Sequence, residues 1–211
     1  MITIDEKEDS ERDPEDVEDV EGFLDKVADE IQEFDLEIVK EIQTWRTAFW
    51  NDFWKIFTAF GRPYFWILLG ALLALFRIFH VGIVLLIGGI SYFLLIFPFK
   101  IFYRRKRPHH TDGEIKALIK VKQYSFPSGH TYLASIMAIS LCFCYGNIFL
   151  IIISLIFGLL VGFSRIYLGV HYLTDVLSAF AIAVFISFLI CLNMGIIMDL
   201  HYMLNSFFFF F

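Results

Sequence analysis

Ser164-Arg165-Ile166-Tyr167-Leu168-Gly169-Val170-His171-Tyr172-Leu173-Thr174-Asp175 is the stretch whose reading decides the rest. It joins two long apolar runs, Ile148 to Phe163 and Leu173 to about Leu192, in a chain that otherwise keeps charge away from such depths. An arginine, a histidine and an aspartate at the edge of a membrane are costly unless they pair or perform chemistry. His171 and Asp175 are four positions apart, so on a helix they share one face, one turn apart. A carboxylate so placed accepts a hydrogen bond from one ring nitrogen, sets the tautomer and leaves the other nitrogen free to act. Arg165, before the turn at Gly169, offers a planar fork suited to phosphate oxygens. Taken alone, the stretch is equally a charge cluster that caps a membrane helix.

Composition decides the surroundings. Of 211 residues, 58% are hydrophobic and 26 are phenylalanine; the mean hydropathy is +0.66. That is the composition of an integral membrane protein. The net charge of −6 conceals a segregation, because 18 of the 23 acidic residues precede Ile42. The remainder is a basic membrane body. Cys142, Cys144 and Cys191 all fall in apolar runs and read as small hydrophobes, not as a disulfide framework or a metal site. The first residues lack the basic and apolar regions of a secretory signal. Nothing in the pattern suggests nucleic acid as a partner.

Working outward, residues 1–16 read as an acidic disordered tail. From Val17 the apolar residues Val20, Leu24, Val27, Ile31, Phe34, Ile38, Ile42, Trp45 and Phe49 recur in steps of three and four. This spacing predicts one long acidic amphipathic helix that becomes interfacial, over residues 17–60. The helix is expected to be solvated as it leads into the membrane, with self-association, a partner, or contact with the basic loops as other uses. Trp50, Trp54 and Lys55 read as interfacial anchors. A membrane domain over 61–203 follows, with five clear spans: Tyr64 to Phe79, Val81 to Tyr103 with a kink at Pro98, Gly129 to Tyr145, Ile148 to Phe163, and Leu173 to about Leu192. Residues 204–211 read as a low-complexity tail. The fold class is all-α, a polytopic membrane helix bundle.

Two crossings separate His130 from Arg165, and two more separate the N-terminal helix from Lys100, so all of these share one face. That face carries Lys100, Arg104, Arg105, Lys106, Arg107, Lys116, Lys120 and Lys122, against little beyond Arg77 on the other. The positive-inside rule puts it in the cytosol.

Two further motifs open on this face. Lys100-Ile-Phe-Tyr-Arg-Arg-Lys-Arg107-Pro108 places two cations seven apart, two helical turns or roughly 10 Å along one face. Pro108 disfavours helix at Arg107 and frees its guanidinium to turn inward. Tyr124-Ser-Phe-Pro-Ser128-Gly129-His130 opens the third span. Ser128 suits an N-cap, Gly129 permits close approach of a ligand, and the helix N-terminus offers amides to an anion. His130 in that first turn can carry a proton. Singly, each motif is a cationic anchor or an ordinary helix start. Together, two histidines, an aspartate, three cations and a helix N-terminus suit displacement at phosphorus, with fixed donors in place of a metal. No metal or other cofactor is expected.

Lys100-x6-Arg107-Pro108, Pro127-Ser128-Gly129-His130 and Ser164-Arg165-x5-His171-x3-Asp175 together resemble the three-part signature of the type 2 phosphatidic acid phosphatase superfamily. The resemblance covers Tyr64 to about Ile190. The wording around the motifs is most similar to the polyisoprenoid (presqualene) diphosphate phosphatase branch. It implies a six-helix core, so that either Trp45 to Phe60 supplies the sixth helix or the first helix is missing. It also implies an active site on the cytosolic face of the endoplasmic reticulum. The roles implied are His171 as nucleophile, oriented by Asp175, and His130 as acid and then base. Lys100, Arg107, Ser128, Gly129 and Arg165 hold the phosphoryl oxygens. The substrate implied is a polyisoprenoid diphosphate; the rival substrate is phosphatidic acid or a sphingoid phosphate. A non-catalytic binder of lipid phosphates is the rival of another class, and it has no need of a nucleophile with an orienting acid. His80, His109, His110 and His201 read as bystanders, and Asp112 and Glu114 as loop solvation.

Overall fold

The computed structural model describes residues 14–76 and 78–209; the expected disorder of the first residues and the cation Arg77 lie outside them. Every regular element among the described residues is helical. In chain order they are α1 (Pro14–Thr44), α2 (Ala48–Phe57), α3 (Pro63–Leu75), α4 (Phe79–Ser91), α5 (Phe97–Tyr103), α6 (Pro108–Thr111), α7 (Gly129–Tyr145), α8 (Ile148–Tyr167), α9 (Leu173–Leu192) and α10 (Met194–Phe209).

The centre of the bundle is α7, which packs along α8 and α9 and also touches α4. Its Tyr132, Leu133, Ile136 and Met137 meet Val84 and Leu85 of α4 and Ala179 and Ala183 of α9 in one buried cluster. Close approach depends on glycine. A Cβ on Gly158 would strike the Ser135 side chain, and one on Gly162 would strike Val176 and Thr131. Small residues at such crossings let helices pack where lipid offers no hydrophobic drive for association. The outer faces stay apolar and exposed, as at Phe149 and Ile153 of α8 and Phe185 and Phe188 of α9. This is the belt that lipid would cover.

Length and apolarity qualify three stretches as spans, Val81–Thr111, Ile148–Tyr167 and Leu173–Leu192. A fourth arises if Ala48–Gly61 and Pro63–Leu73, bent by 56°, count as one broken span. Of the five spans expected from sequence, Tyr64 to Phe79 and Gly129 to Tyr145 do not meet this length on their own, since α3 has only 13 residues and α7 only 17. The bend falls at Gly61-Arg62-Pro63, where proline forces the preceding residue out of helix; Arg62 is extended, at φ −88° and ψ 139°.

The N-terminal half departs further from expectation. The single helix expected through Phe49 ends at Thr44, and α2 restarts at Ala48 with the Thr47 side chain accepting from Trp50 N at 3.3 Å. Nor is α1 merely solvated. Val39 and Ile42 are buried against Ile115, Ile166, Tyr167, Tyr172 and Val176. Lys40 pairs with Asp112 and Glu114 at 2.8 and 3.0 Å, so these two acids do more than solvate a loop. Pro98 produces a π-helical turn over Tyr92–Ile96, closed by Phe97 N donating to Tyr92 O, because a proline ring displaces the carbonyl four residues earlier. The segment read as beginning a C-terminal tail at 204 continues α10 through Phe209.

The three-helix junction at Gly162 can be tested directly. Gly162→Val should cost roughly 1–3 kcal/mol by overpacking and lower the thermal midpoint in detergent. Gly113→Ala, with no neighbouring atom within 4 Å, should leave the midpoint unchanged.

Candidate active site

The three motifs meet at one end of the bundle because each sits where a helix starts or stops. The chain leaves α8 through a left-handed turn. Gly169 has φ +73°, its N donates to Ile166 O at 2.8 Å, and Val170 N donates to Arg165 O at 3.2 Å. A Cβ there would lie 2.8 Å from Lys116 O, so glycine is required by space as well as by φ. This turn carries His171 into the gap before α9. His171 and Asp175 therefore do not share a helix face as the spacing suggested. His171 precedes the N-cap Tyr172, and Asp175 stands in the first turn of α9. The bond survives because Asp175 reaches back over the helix start, accepting from His171 Nδ1 at 3.1 Å and from Tyr172 N at 3.0 Å.

The tautomer follows from the neighbours. Arg107 Nη1 lies 3.1 Å from His171 Nε2. A guanidinium can only donate, so Nε2 presents its lone pair and Nδ1–H donates to Asp175. Asp175 is fully buried. It also accepts from Ser125 Oγ at 2.5 Å and from Arg105 Nη1 at 2.9 Å.

Lys100 and Arg107 reach the same cavity, but not along one helical face. Helix α5 stops at Tyr103 and Arg104 is left-handed, at φ 46°, so Arg107 arrives on an extended segment before Pro108. Both cations are oriented by carbonyls of the segment ahead of α7. Lys100 Nζ donates to Tyr124 O and Ser125 O at 3.1 and 3.3 Å, and Arg107 Nε donates to Gln123 O at 2.6 Å. At the head of α7, Ser128 Oγ accepts from Thr131 N at 3.4 Å, and Ser128 N donates to Asp175 O at 3.0 Å. Gly129 lies against Tyr92, where a Cβ would come within 2.9 Å of the ring. Arg165 is buried in the last turn of α8, its Nη1 donating to Thr58 Oγ1 at 2.8 Å while its Nε has no hydrogen-bond partner. An unpaired donor at that depth is costly unless an anion comes to it.

These side chains line a cavity of about 420 Å³ bounded by Lys100, Arg107, Gly129, His130, Arg165 and His171, with Arg62, Lys120 and Lys122 at its edge. A second cavity, of about 450 Å³, opens between α3 and α4 and shares Pro63, Tyr92 and Leu133 with the first. Its other lining residues, such as Trp66, Ile67, Leu86 and Phe93, are apolar. Polar and apolar compartments thus adjoin across one wall. Among the described residues, no three His, Cys, Asp or Glu side chains converge as a metal group.

The cavity thus draws together six of the eight expected residues, with Asp175 behind His171 and Ser128 at the head of α7 next to Gly129. Four participants escaped the sequence: Ser125, Arg105, Thr58 and Asp35. Arg105 stands in a run of four cations, and nothing local marks it. Asp35 carried a signal, since it stands one turn before Val39 and two before Ile42 on the buried face of α1, where an acid is out of place. Of the histidines read as bystanders, His109 Nδ1 lies 3.2 Å from Gly169 O.

A helix bundle with an apolar outer belt and a cation-lined cavity at one end has the build of a membrane phosphatase acting on lipids. The chain belongs to the PAP2 superfamily, whose sequence model matches residues 77–197. An undecaprenyl-diphosphatase of Sulfolobus acidocaldarius is 32% identical over 158 residues, covering 74% of this chain and 76% of that one. Undecaprenyl-diphosphatase BcrC of Bacillus subtilis is 35% identical over 103 residues, 49% of this chain and 52% of that protein. Among solved structures, a transmembrane PAP2-type phosphatidylglycerolphosphate phosphatase from Bacillus subtilis superposes with a TM-score of 0.67 at 26% identity, over 76% of this chain and 84% of that one. Aquifex aeolicus LpxE gives the same score and identity, over 74% and 94%. The protein is a membrane lipid phosphatase.

His171 lies outside the spanning helices, and its protonation can be followed. Burial pushes its pKa well below 6.5, and the Arg107, Lys100 and Arg165 charges push the same way. A hydrogen bond at Ser125 pulls weakly the other way. At pH 6 the ring of the folded protein should remain neutral, with nitrogen-15 shifts of the Nδ1–H tautomer, identified by their loss in His171→Gln. The unfolded chain takes up the proton first, so this group's contribution to stability falls as pH drops below about 6.5.

Proposed function

We propose that this protein hydrolyses the terminal phosphate of polyisoprenoid diphosphates through a phosphohistidine intermediate, without a metal. The observation that carries the reading is the paired state of His171. Nδ1 is held by Asp175, while the Nε2 lone pair faces a cavity ringed by cations. Nucleophile, orienting acid and charge-stabilising donors are the parts that such a displacement needs.

In this scheme the phosphoryl group enters among Lys100, Arg107 and Arg165, near the Ser128 hydroxyl and the Gly129 amide. Lys100 and Arg107 turn from backbone carbonyls towards phosphate oxygens, Arg107 releasing His171 Nε2 as it does, and the free Nε of Arg165 gains an acceptor. His171 Nε2 attacks phosphorus in line; a P–N bond forms as the bond to the leaving oxygen breaks. His130 donates its proton to that oxygen, and the bound anion's negative charge favours the protonated ring beforehand. Asp175 stabilises the positive charge that develops on His171. His130, now neutral, takes a proton from water as the water attacks phosphorus; the P–N bond breaks and orthophosphate departs. The cations neutralise the charge that a magnesium ion would otherwise meet.

Two features favour an isoprenoid diphosphate. The apolar cavity shares a wall with the polar one, as an amphiphile requires. Arg62, Lys120 and Lys122 add positive charge at the polar rim, beyond what one phosphate needs. The undecaprenyl-diphosphatase relatives agree with this reading. A glycerolipid phosphate is the second reading, favoured by the match to the phosphatidylglycerolphosphate phosphatase. The cation count supports a cytosolic site, whereas the endoplasmic reticulum rests on the resemblance to the presqualene branch alone. With Asp35, Val39 and Lys40 of α1 engaged internally, self-association through that helix would have to use its first half.

Farnesyl diphosphate should release phosphate at least tenfold faster than phosphatidic acid in mixed micelles, by kcat/KM; the reverse order selects the glycerolipid reading. Folded His171→Ala should release none above background from either, and parental turnover by that variant ends the scheme. Activity should persist in excess EDTA, and a loss restored by added magnesium would remove the metal-free step.

A further inference from the structure

Asp35 is fully buried although it stands on α1, upstream of the segment matched by the family. A carboxylate at that depth must be paired and hydrogen-bonded, and Asp35 is. Its Oδ1 accepts from Thr174 N at 3.1 Å, and its Oδ2 accepts from Arg105 Nη2 at 2.8 Å and from the Thr174 hydroxyl. Thr174 N is one of the orphan amides in the first turn of α9. Asp35 therefore caps, from another helix, the turn that carries Asp175.

Arg105 extends the chain of contacts. Its Nη1 donates to Asp175 Oδ1 at 2.9 Å and to Thr174 Oγ1 at 2.7 Å, and its guanidinium carbon lies 4.0 Å from the centre of the Tyr172 ring. One guanidinium is thus divided between two buried carboxylates. An arginine facing a single carboxylate favours a two-pronged grip on both oxygens. With Nη2 engaged by Asp35, Arg105 takes only Oδ1 of Asp175. Oδ2 is left for His171 Nδ1, Tyr172 N and Ser125 Oγ. The helix is held in register nearby, where Arg46 donates to Tyr167 O at 2.6 Å and Lys116 O at 2.8 Å.

We propose that Asp35 is a positioning residue of the phosphatase site, which restrains Arg105 to one oxygen of Asp175 and so keeps the other oxygen for His171. The α1 helix then becomes a working part of the catalytic centre. The inference rests on His171 being the nucleophile.

The test uses the full chain in detergent, with whichever of farnesyl diphosphate and phosphatidic acid the parental protein turns over faster. Asp35→Asn keeps the shape and one acceptor but releases Arg105. Its kcat should fall roughly tenfold, with KM within about twofold, because the phosphate cradle is untouched. Adding Arg105→Gln to Asp35→Asn should lower kcat no further, since the competitor for Oδ2 is gone. Parental kcat in Asp35→Asn, a rise in KM alone, or an equal further loss in the double variant overturns the proposal. If Asp35→Asn does not fold, Thr174→Val, which deletes only the shared hydroxyl, should lower kcat with KM unchanged; an unchanged kcat is then the overturning result. An inactive parental protein, or an active His171→Ala, means that the reading of the site has failed first. With both controls as expected, a silent Asp35→Asn removes only the role given to Asp35.

Discussion

Asp175 is a carboxylate with no exposed surface, and the end of the bundle that holds the cavity is assembled to satisfy it. Four donors converge on its two oxygens: Arg105 Nη1, Ser125 Oγ, His171 Nδ1 and Tyr172 N. They come from the stretch after α5, the segment before α7, the α8–α9 turn and the start of α9. Its backbone carbonyl adds a fifth link, to Ser128 N at the head of α7. Leaving a buried carboxylate unpaired costs several kcal/mol, so each connection must adopt the one path that delivers its donor. This convergence ties the three sequence motifs to one point.

Chemistry of this kind needs rigid placement inside an apolar bundle, and the helices supply it through close contact. Gly158 and Gly162 let α8 approach Ser135, Thr131 and Val176 where any side chain would intrude. Gly129 takes the Tyr92 ring against its α-carbon, and the backbone at Gly61 rests on His130. Lys100 and Arg107 are likewise aimed by fixed carbonyls of residues 123–125, and Arg165 by the Thr58 hydroxyl. Little reorganisation is then needed when a phosphate displaces those contacts, which is the condition under which fixed donors stabilise a transition state effectively.

The division of labour along the chain is uneven. The family-matched segment, 77–197, holds every residue of the three motifs. Ahead of it, Asp35 meets Arg105, Arg46 caps the carbonyl end of α8, Thr58 accepts from Arg165 and Gly61 abuts His130. The acidic N-terminal region is therefore bound to the basic body by a buried ion pair, Asp35 with Arg105, and by hydrogen bonds and packing, and not only by long-range attraction. The join between polar and apolar cavities at Pro63, Tyr92 and Leu133 likewise combines residues inside and outside the matched segment.

The sequence by itself determined the membrane class, the three motifs and the convergence of their residues on one face. Apolar runs, charge segregation and helix-start chemistry are local properties that a one-dimensional reading can weigh. It also showed where α7 starts, through Ser128, and where helix must fail, at Arg107 before Pro108. Tertiary structure alone decided that His171 stands before α9 and not on it, and that Lys100 and Arg107 converge from different backbone states. It alone assigned Nε2 as the unprotonated nitrogen, through its contact with Arg107, and gave Asp35 and Arg105 their place beneath Asp175. Periodicity reports which face of a helix is buried but not what it is buried against. Asp35 and Thr174, 139 positions apart, meet only once the helices have packed.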